Sequence, residues 1–146
     1  NSWIDSIPAN PMAKRKSHCS CCSKDEIFVF GGRTPDYSST LCSFNITTST
    51  WRRIEFKEKI PTGRYGSSMV LFDEYLWIFG GFDKMSMACD DLWRFDPKKE
   101  TIERISFNPD TGNPPQVFRH TAEVIGNVNG NEFIPKFSDH VSLWWH

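Results

Sequence analysis

The sequence lacks long apolar runs and lacks an excess of charge of either sign. Its 146 residues carry 17 Lys and Arg against 18 Asp and Glu, so the formal net charge at pH 7 is −1. Nucleic-acid binding normally requires a basic face or stripe, and a membrane-spanning helix requires about 20 consecutive apolar residues. We therefore predict no nucleic-acid partner and no membrane partner. The one basic cluster, at residues 14–16, is short and is interpreted as a solvated loop.

The sequence has five cysteines, an odd number. A disulfide framework in a short secreted chain normally uses an even number. Free thiols in a reducing compartment fit better, which predicts an intracellular and cytoplasmic protein. The triplet beginning at Asn45 matches the N-glycosylation acceptor pattern and points the other way, but such triplets are frequent by chance.

Three of the cysteines follow His18 within a short segment, as Cys19, Cys21 and Cys22, and this grouping suggests zinc. Zinc sites usually use Cys-x-x-Cys pairs together with a second pair elsewhere. A thiol on a buried strand behaves instead as a small apolar residue. We therefore expect an inner strand here and predict neither a metal site nor a cofactor.

The sequence also lacks a sustained helical period and a recognisable catalytic constellation. No Ser, His and Asp arrangement can be assembled. The two Gly-Gly pairs, at residues 31–32 and 80–81, are not followed by the helix and lysine of a phosphate-binding loop. These absences favour a binding module over an enzyme.

What the sequence does contain is an internal repeat. Residues 27–32 (IFVFGG) return as residues 76–81 (LWIFGG), a spacing of 49 residues that grows to 51 and then 53 at later anchors. The other paired positions are Arg15 with Arg64, Phe44 with Phe95, Trp51 with Ile102, and Pro61 with Pro114. Several anchors in one order at one slowly drifting period indicate a repeat architecture.

Each repeat predicts four short strands. In the second copy they cover residues 66–72, 75–79, 91–96 and 101–106, and in the first copy residues 17–22, 26–30, 40–46 and 50–56. The second strand is an almost continuous apolar run, which is typical of burial on both faces, whereas the third alternates. The glycines after the second strand permit close backbone approach, so the chain can leave the sheet sharply.

Four strands at this period, with Gly-Gly closing the second, resemble the kelch repeat. The resemblance covers about residues 15–125 and implies an all-β fold, a partial kelch-type β-propeller with four-stranded antiparallel blades. Its blade-defining positions are Gly31, Gly32, Trp51, Arg64, Gly80, Gly81, Phe95 and Asp96. Two departures are Ser67, where the family commonly has His, and Ile102 in place of tryptophan.

The resemblance also implies a division of the chain. Residues 15–56 and 64–106 form two complete blades joined by a linker at 57–63. Residues 1–14 end a preceding blade and lead into the first, residues 107–134 begin a third blade, and residues 135–146 form an irregular tail, either a native strand or non-native read-through. Propellers have about four to eight blades, so we expect a piece of a longer propeller.

Binding residues are expected in the loops between the second and third strands, because loops on a rigid scaffold often carry function. The candidates are Arg33, Tyr37, Phe82, Lys84, Met85 and Met87. Packing of these loops against the next blade is the equally open alternative. The resemblance implies a protein–protein interaction module, an adaptor or scaffold, and not an enzyme. The alternative is a fragment of a kelch-like metal-dependent enzyme whose ligands lie in other blades.

Overall fold

The computed structural model describes residues 12–107 and 114–124. Within these ranges every regular element is a β-strand, so the predicted all-β class is confirmed. Three expectations lie wholly or largely outside the described residues: the end of a preceding blade within residues 1–14, the later part of the third blade up to residue 134, and the irregular tail at residues 135–146.

The described strands form two four-stranded antiparallel sheets and one short ribbon. The first sheet has the order β1 (Cys19–Ser23), β2 (Glu26–Phe30), β3 (Leu41–Asn45) and β4 (Thr50–Ile54). The second places β6 (Ser68–Phe72), β7 (Tyr75–Phe79), β9 (Leu92–Asp96) and β10 (Thr101–Ile105) in the same order. The ribbon pairs β5 (Arg64–Tyr65) with β8 (Phe82–Asp83). The two sheets, called here the first and second blades, confirm the predicted fold of a partial propeller.

Local chemistry sets the turns between these strands. Asp73 and Glu74, between β6 and β7, both have positive φ, at 49° and 65°, as a tight two-residue hairpin turn requires. Asp96 ends β9 and accepts the backbone N–H of Lys98 on its Oδ1 at 2.9 Å. Asn45 occupies the equivalent position at the end of β3. Its Oδ1 accepts the N–H of Thr48 at 2.8 Å, so the residue has a turn-forming role.

The innermost strands begin two residues later than predicted, at Cys19 and Ser68 instead of residues 17 and 66. Ser17 and Gly66 have φ values of 57° and 67°, and this left-handed conformation cannot continue an extended strand. Gly66 instead donates its N–H to the carbonyl of Ser17 at 2.8 Å. The hydrogen bond therefore joins two blades and does not extend a sheet.

The main core lies between the two blades. The first blade contributes Phe28, Phe30, Leu41 and Ile54, and the second contributes Leu76, Ile78, Trp93, Phe95 and Ile102. The Phe95 ring lies 5.7 Å from the ring of Phe28 and 5.8 Å from that of Phe56. Burying a side chain of this size contributes about 1.5–3 kcal/mol. Blade-on-blade packing is therefore a major source of stability.

Two burial expectations need correction. The second strand of the second blade is not buried on both faces along its whole length, because Trp77 is only half-buried while Ile78 and Phe79 are buried. The cysteines of β1 also differ from one another: Cys19 is buried and Cys22 is exposed. Strand alternation explains the second correction, since successive side chains point to opposite faces. Burial raises the pKa of the Cys19 thiol to about 12.

Candidate functional site

A buried arginine, Arg64, links several groups at the inner end of the second blade by hydrogen bonds and a salt bridge. The side chain of Arg64 is 2% exposed and forms a salt bridge with Asp91. It also donates to the carbonyl of Gly80 at 3.1 Å and to the carbonyl of Thr62 at 3.0 Å. Burial alone would raise the pKa of Asp91, but hydrogen bonds and charge from Arg64 outweigh it and hold that pKa below its ordinary value.

Arg15 repeats this arrangement in the first blade with neutral acceptors. Its Nη1 donates to the carbonyl of Gly31 at 2.9 Å and to the hydroxyls of Ser38 and Thr40 at 3.2 and 3.0 Å. Gly31 is the repeat equivalent of Gly80, and Thr40 that of Asp91. Each arginine therefore hydrogen-bonds both to the glycine that follows the second strand and to the residue that precedes the third strand.

The Gly-Gly pairs lie against the backbone of the following repeat. A Cβ on Gly31 would lie 2.6 Å from the carbonyl oxygen of Arg64, and a Cβ on Gly80 would lie 2.6 Å from that of Val117. Both glycines also have positive φ, at 68° and 63°. Only glycine meets both requirements, and it brings each blade close to the chain that follows it.

Left-handed residues link successive repeats at their inner ends. Ser17, Gly66 and Arg119 stand at equivalent positions, with φ values of 57°, 67° and 57°. Gly66 donates its N–H to Ser17 at 2.8 Å, and Arg119 donates its N–H to Gly66 at 2.7 Å. These two backbone hydrogen bonds set the spacing between successive repeats. They therefore also set the spacing between the loops that the repeats present on one side.

On that side, four aromatic rings form a continuous row across the blades. The ring of Tyr65 lies 5.6 Å from those of Tyr37 and Phe82 and 6.4 Å from that of Phe118. The rings of Phe82 and Phe118 lie 5.0 Å apart. Tilted and edge-on geometries at these distances are favourable. Nevertheless Phe118 remains 40% exposed, so the row is accessible to a ligand.

Two arginines lie over this row. The guanidinium carbon of Arg33 is 5.3 Å from the ring centre of Tyr37 and 5.7 Å from that of Tyr65. The guanidinium of Arg119 is 5.8 Å from the ring of Tyr65 and 5.9 Å from that of Phe118. Cation–π contact is favourable at such distances. We name the six residues the arginine–aromatic face: Arg33, Tyr37, Tyr65, Phe82, Phe118 and Arg119.

The structure brings three of the six predicted loop residues into this face and leaves three at its margin. Arg33, Tyr37 and Phe82 contact the row, whereas Lys84, Met85 and Met87 lie on the exposed loop that follows Phe82. Asp83 shapes that loop by accepting the N–H groups of Met85 and Met87 at 2.8 and 3.3 Å. Met85 and Met87 are 71% and 56% exposed.

The remaining three members, Tyr65, Phe118 and Arg119, are absent from the sequence-based candidates. The signal that could identify them is the repeat register. Tyr65 directly follows Arg64, and Phe118 stands at the same place one repeat later. The ribbon of β5 and β8 pairs Tyr65 with Phe82. Tyr65 therefore lies beside the loops and outside the four-stranded sheet.

The other blade-defining positions are structural. Trp51 lies on the side of the first blade that faces away from the second, with its ring 5.0 Å from that of Phe44. Phe95 lies in the core between the blades. His120, at the third copy of the inner-strand position, hydrogen-bonds to Ser68 through its Nε2 at 2.8 Å. Burial lowers the pKa of His120 to about 4, so it is neutral at pH 7.

The opposite end of the blades has a cleft of about 400 Å³ between the hairpin tips. Its charged lining is largely paired internally. Lys98 bonds to Glu74 at 2.6 Å, and Glu26 pairs with Arg52 at 3.4 Å. Nothing in this arrangement requires an external partner. Within residues 12–107 and 114–124, no three His, Cys, Asp or Glu side chains gather as metal ligands would, and no helix could span a membrane.

Comparison with known proteins identifies the class. The model of the KLHDC2/KLHL20/DRC7 kelch-repeats domain matches residues 2–133. The chain therefore belongs to the kelch-repeat family, as its Gly-Gly strands and four-stranded blades predict. Membership favours a protein-interaction module.

Curated relatives share only part of their length with this chain. It is 33% identical over 96 residues to tip elongation aberrant protein 3 of Schizosaccharomyces pombe, covering 61% of the chain and 8% of that protein. It is 27% identical over 107 residues to kelch domain-containing protein 3 of Rattus norvegicus, covering 66% and 28%. A third relative, N-(sulfonatooxy)prop-2-enimidothioate sulfolyase of Thlaspi arvense, is 30% identical over 106 residues, covering 70% and 30%.

Proposed function

We propose that this chain is a protein–protein interaction module that binds a segment of another protein on the arginine–aromatic face, as part of an adaptor or scaffold. The observation that carries the proposal is the accessible row of contacting rings between two guanidinium groups. Aromatic residues and arginine are enriched at protein interfaces and among the residues that dominate binding energy. Aspartate and glutamate, which are depleted at interface cores, do not belong to the face.

Hydrogen bonds hold the backbone next to the arginine–aromatic face in place, which favours binding without large rearrangement. Arg64 directly precedes Tyr65 and is fixed by buried hydrogen bonds. Arg119 directly follows Phe118 and is hydrogen-bonded through its backbone to Gly66. Binding side chains held on rigid elements lose less entropy on association. The exposed Met85 and Met87 extend the contact area at one margin, since methionine adapts to varied partners.

The division of the chain stays part of this proposal. We propose blades at residues 15–56 and 64–106 with a linker between them, and a third blade beginning within residues 107–134. The described residues of that segment agree with it, because Val117 accepts the N–H of Gly81 at 2.8 Å, as Arg64 accepts that of Gly32. An intracellular, cytoplasmic location also remains a prediction, from the free thiols.

The enzyme alternative is a fragment of a kelch-like metal-dependent enzyme, and one relative is named as a sulfolyase. No three His, Cys, Asp or Glu side chains gather within the described residues, so a metal site of this kind would lie elsewhere. Metal analysis and activity assays of a longer parent protein would test it.

A peptide-display selection tests the proposed function. Peptides enriched on the immobilised chain are synthesised, and their affinities are measured by titration against the original sequence and against Phe118→Ala. We expect binding to weaken about thirty-fold or more, because truncated hot-spot aromatics cost about 2 kcal/mol or more. The matched control is Ile46→Ala, since Ile46 is 51% exposed but lies at the far hairpin tip.

The result that contradicts the proposal is equal binding by Phe118→Ala, or equal weakening by Phe118→Ala and Ile46→Ala. Urea midpoints of all variants show whether a loss of binding reflects a loss of folding. Tyr37→Ala serves as a second face variant, because its ring lies at the opposite end of the row.

A further inference from the structure

Two of the four methionines of the chain stand close together in one exposed loop. Met85 and Met87 are 71% and 56% exposed, whereas Met69 is 7% exposed and lies in the core between the blades. A thioether that is open to water can be oxidised to a sulfoxide. The structure therefore separates two thioethers that an oxidant reaches from one that the core shields.

The loop that carries the two exposed methionines has a defined backbone. We call residues 83–87 the methionine loop. Phe82 forms a β-bridge to the residue that follows the loop, and Asp83 donates its N–H to the carbonyl of Met87 at 3.0 Å. The Asp83 carboxylate accepts the N–H groups of Met85 and Met87. Backbone groups and one carboxylate therefore shape this loop, and the methionine side chains project from it.

Both ends of the methionine loop are joined to the arginine–aromatic face. Phe82, directly before the loop, has its ring 5.0 Å from that of Phe118 and 5.6 Å from that of Tyr65. After the loop, Cys89 forms a β-bridge with Val117, which directly precedes Phe118. A ligand that covers the rings of Phe82 and Phe118 would therefore lie beside the two thioethers.

Oxidation converts an apolar thioether into a polar group. Hydrogen peroxide transfers one oxygen atom to the sulfur, which loses two electrons and becomes a sulfoxide, and the remaining atoms of the peroxide leave as water. Methionine makes favourable contacts with aromatic side chains, and its sulfoxide disrupts methionine-rich interfaces. Because hydrogen bonds of the backbone and of Asp83 shape the loop, we expect oxidation to change the surface without unfolding the blade.

We propose that Met85 and Met87 form an oxidation site through which peroxides control binding on the arginine–aromatic face. This inference rests on the proposed function and adds a means of regulation to it. In the reduced chain, the two thioethers extend the apolar contact area beyond Phe82. In the oxidised chain, two polar sulfoxides take their place and weaken the binding of a partner that crosses the loop. Methionine sulfoxide is reduced by dedicated reductases, so the change is reversible.

Peptide mapping by mass spectrometry tests the site itself. The folded chain is treated with graded hydrogen peroxide at a pH of about 6.5, below the ordinary pKa of a thiol. Dithiothreitol then reduces disulfides and sulfenic acids, so that methionine oxidation is what remains. We expect Met85 and Met87 to be oxidised first and Met69 only after unfolding in urea. The urea midpoint of the chain oxidised only at the loop should be unchanged.

Titration of peptides tests the effect on binding. The probes are display-selected peptides whose affinity depends on Phe118. We expect the oxidised chain to bind them about five-fold more weakly or worse, as the loss of two methionine contacts implies, and methionine sulfoxide reductase to restore the affinity. The double variant Met85→Leu with Met87→Leu keeps size and apolarity, so it should bind equally before and after peroxide. The matched control, Met69→Leu, should stay as sensitive as the original sequence.

Three results would overturn the inference. The first is equal binding of Phe118-dependent peptides by the oxidised and reduced chains. The second is a peroxide effect on the leucine double variant as large as that on the original sequence. The third is oxidation of Met69 in the folded chain as rapid as that of Met85. All three leave the proposed function intact. If the selected peptides do not depend on Phe118, the proposed function fails and this inference fails with it.

Discussion

The buried pair of Arg64 and Asp91 should be among the most sensitive points of the fold. Truncating Arg64 to leucine removes hydrogen bonds to Thr62, Gly80 and Asp91 together. It also leaves a carboxylate that is only 13% exposed, with Trp93 as a remaining side-chain donor at 2.7 Å. Removing one partner of a buried ion pair typically costs about 3–5 kcal/mol.

Arg15 supplies a matched comparison within the same molecule. It holds the equivalent position, but its acceptors are a carbonyl and two hydroxyls. Truncating it leaves no buried charge behind. A single hydrogen bond to a charged donor contributes about 1.5–3 kcal/mol, and the partial exposure of this site places Arg15→Leu toward the lower end. We therefore expect Arg64→Leu to be clearly more destabilising than Arg15→Leu.

Urea denaturation followed by tryptophan fluorescence measures both effects, since Trp77 and Trp93 lie in the second blade. The double variant Arg64→Leu with Asp91→Leu should recover much of the loss, because it leaves no unpaired charge. The folded-state pKa of Asp91 lies below its ordinary value of 3.8. Its contribution is therefore complete above that pH and is lost as the pH falls further.

Two results would refute this reasoning. The first is an Arg64→Leu cost no greater than that of Arg15→Leu, which would mean that the carboxylate adds nothing beyond a hydroxyl. The second is a double variant as unstable as the sum of the two single variants, which would mean that the residues act independently.

Three further predictions concern other parts of the blades. Gly80→Ala should lower the free energy of unfolding by about 2 kcal/mol or more, because a Cβ there would lie 2.6 Å from the Val117 carbonyl oxygen. Urea denaturation measures this effect, and an unchanged urea midpoint would contradict the prediction. Stability should fall by about 1–2 kcal/mol between pH 6.5 and about 4, less than the full shift implies because solvent screens a partly exposed ring. The reason is that burial lowers the pKa of His120 to about 4 while the unfolded chain still binds a proton there. His120→Gln should flatten this part of the curve. Maleimide labelling at pH 8 should modify the exposed Cys22 quickly and the buried Cys19 only after unfolding, and equal rates at the two thiols would be inconsistent with the structure.

The repeat in the sequence is sufficient to predict the blades and much of their register. The second strands match the predicted residues 26–30 and 75–79 at both ends, because an apolar run ended by glycine has few alternative placements. The first strands begin two residues later than predicted. Their start depends on the left-handed residues Ser17 and Gly66, and serine gives little sequence signal for that conformation.

The candidate site is harder to predict than the blades. Arg33 and Phe82 stand in loops, where functional residues are expected. Tyr65 and Phe118 stand beside the inner strand and resemble ordinary core aromatics in the sequence. The place of Tyr65 in the face depends on the small ribbon of β5 and β8, and that of Phe118 depends on the bridge between Cys89 and Val117. Both are short pairings between segments that are separated in sequence. Local patterns contain no information about such a pairing.

The two blades also show why one fold can present different surfaces. The glycine positions are constrained, because a Cβ on Gly31 or Gly80 would collide with the carbonyl of the next repeat at the same distance, 2.6 Å. Two residues later, at Arg33 and Phe82, backbone pairing is retained while the side chain is free of the core. Side-chain identity at such positions can therefore vary with little effect on blade packing. The fold permits a cation at this position of the first blade and an aromatic ring at that of the second.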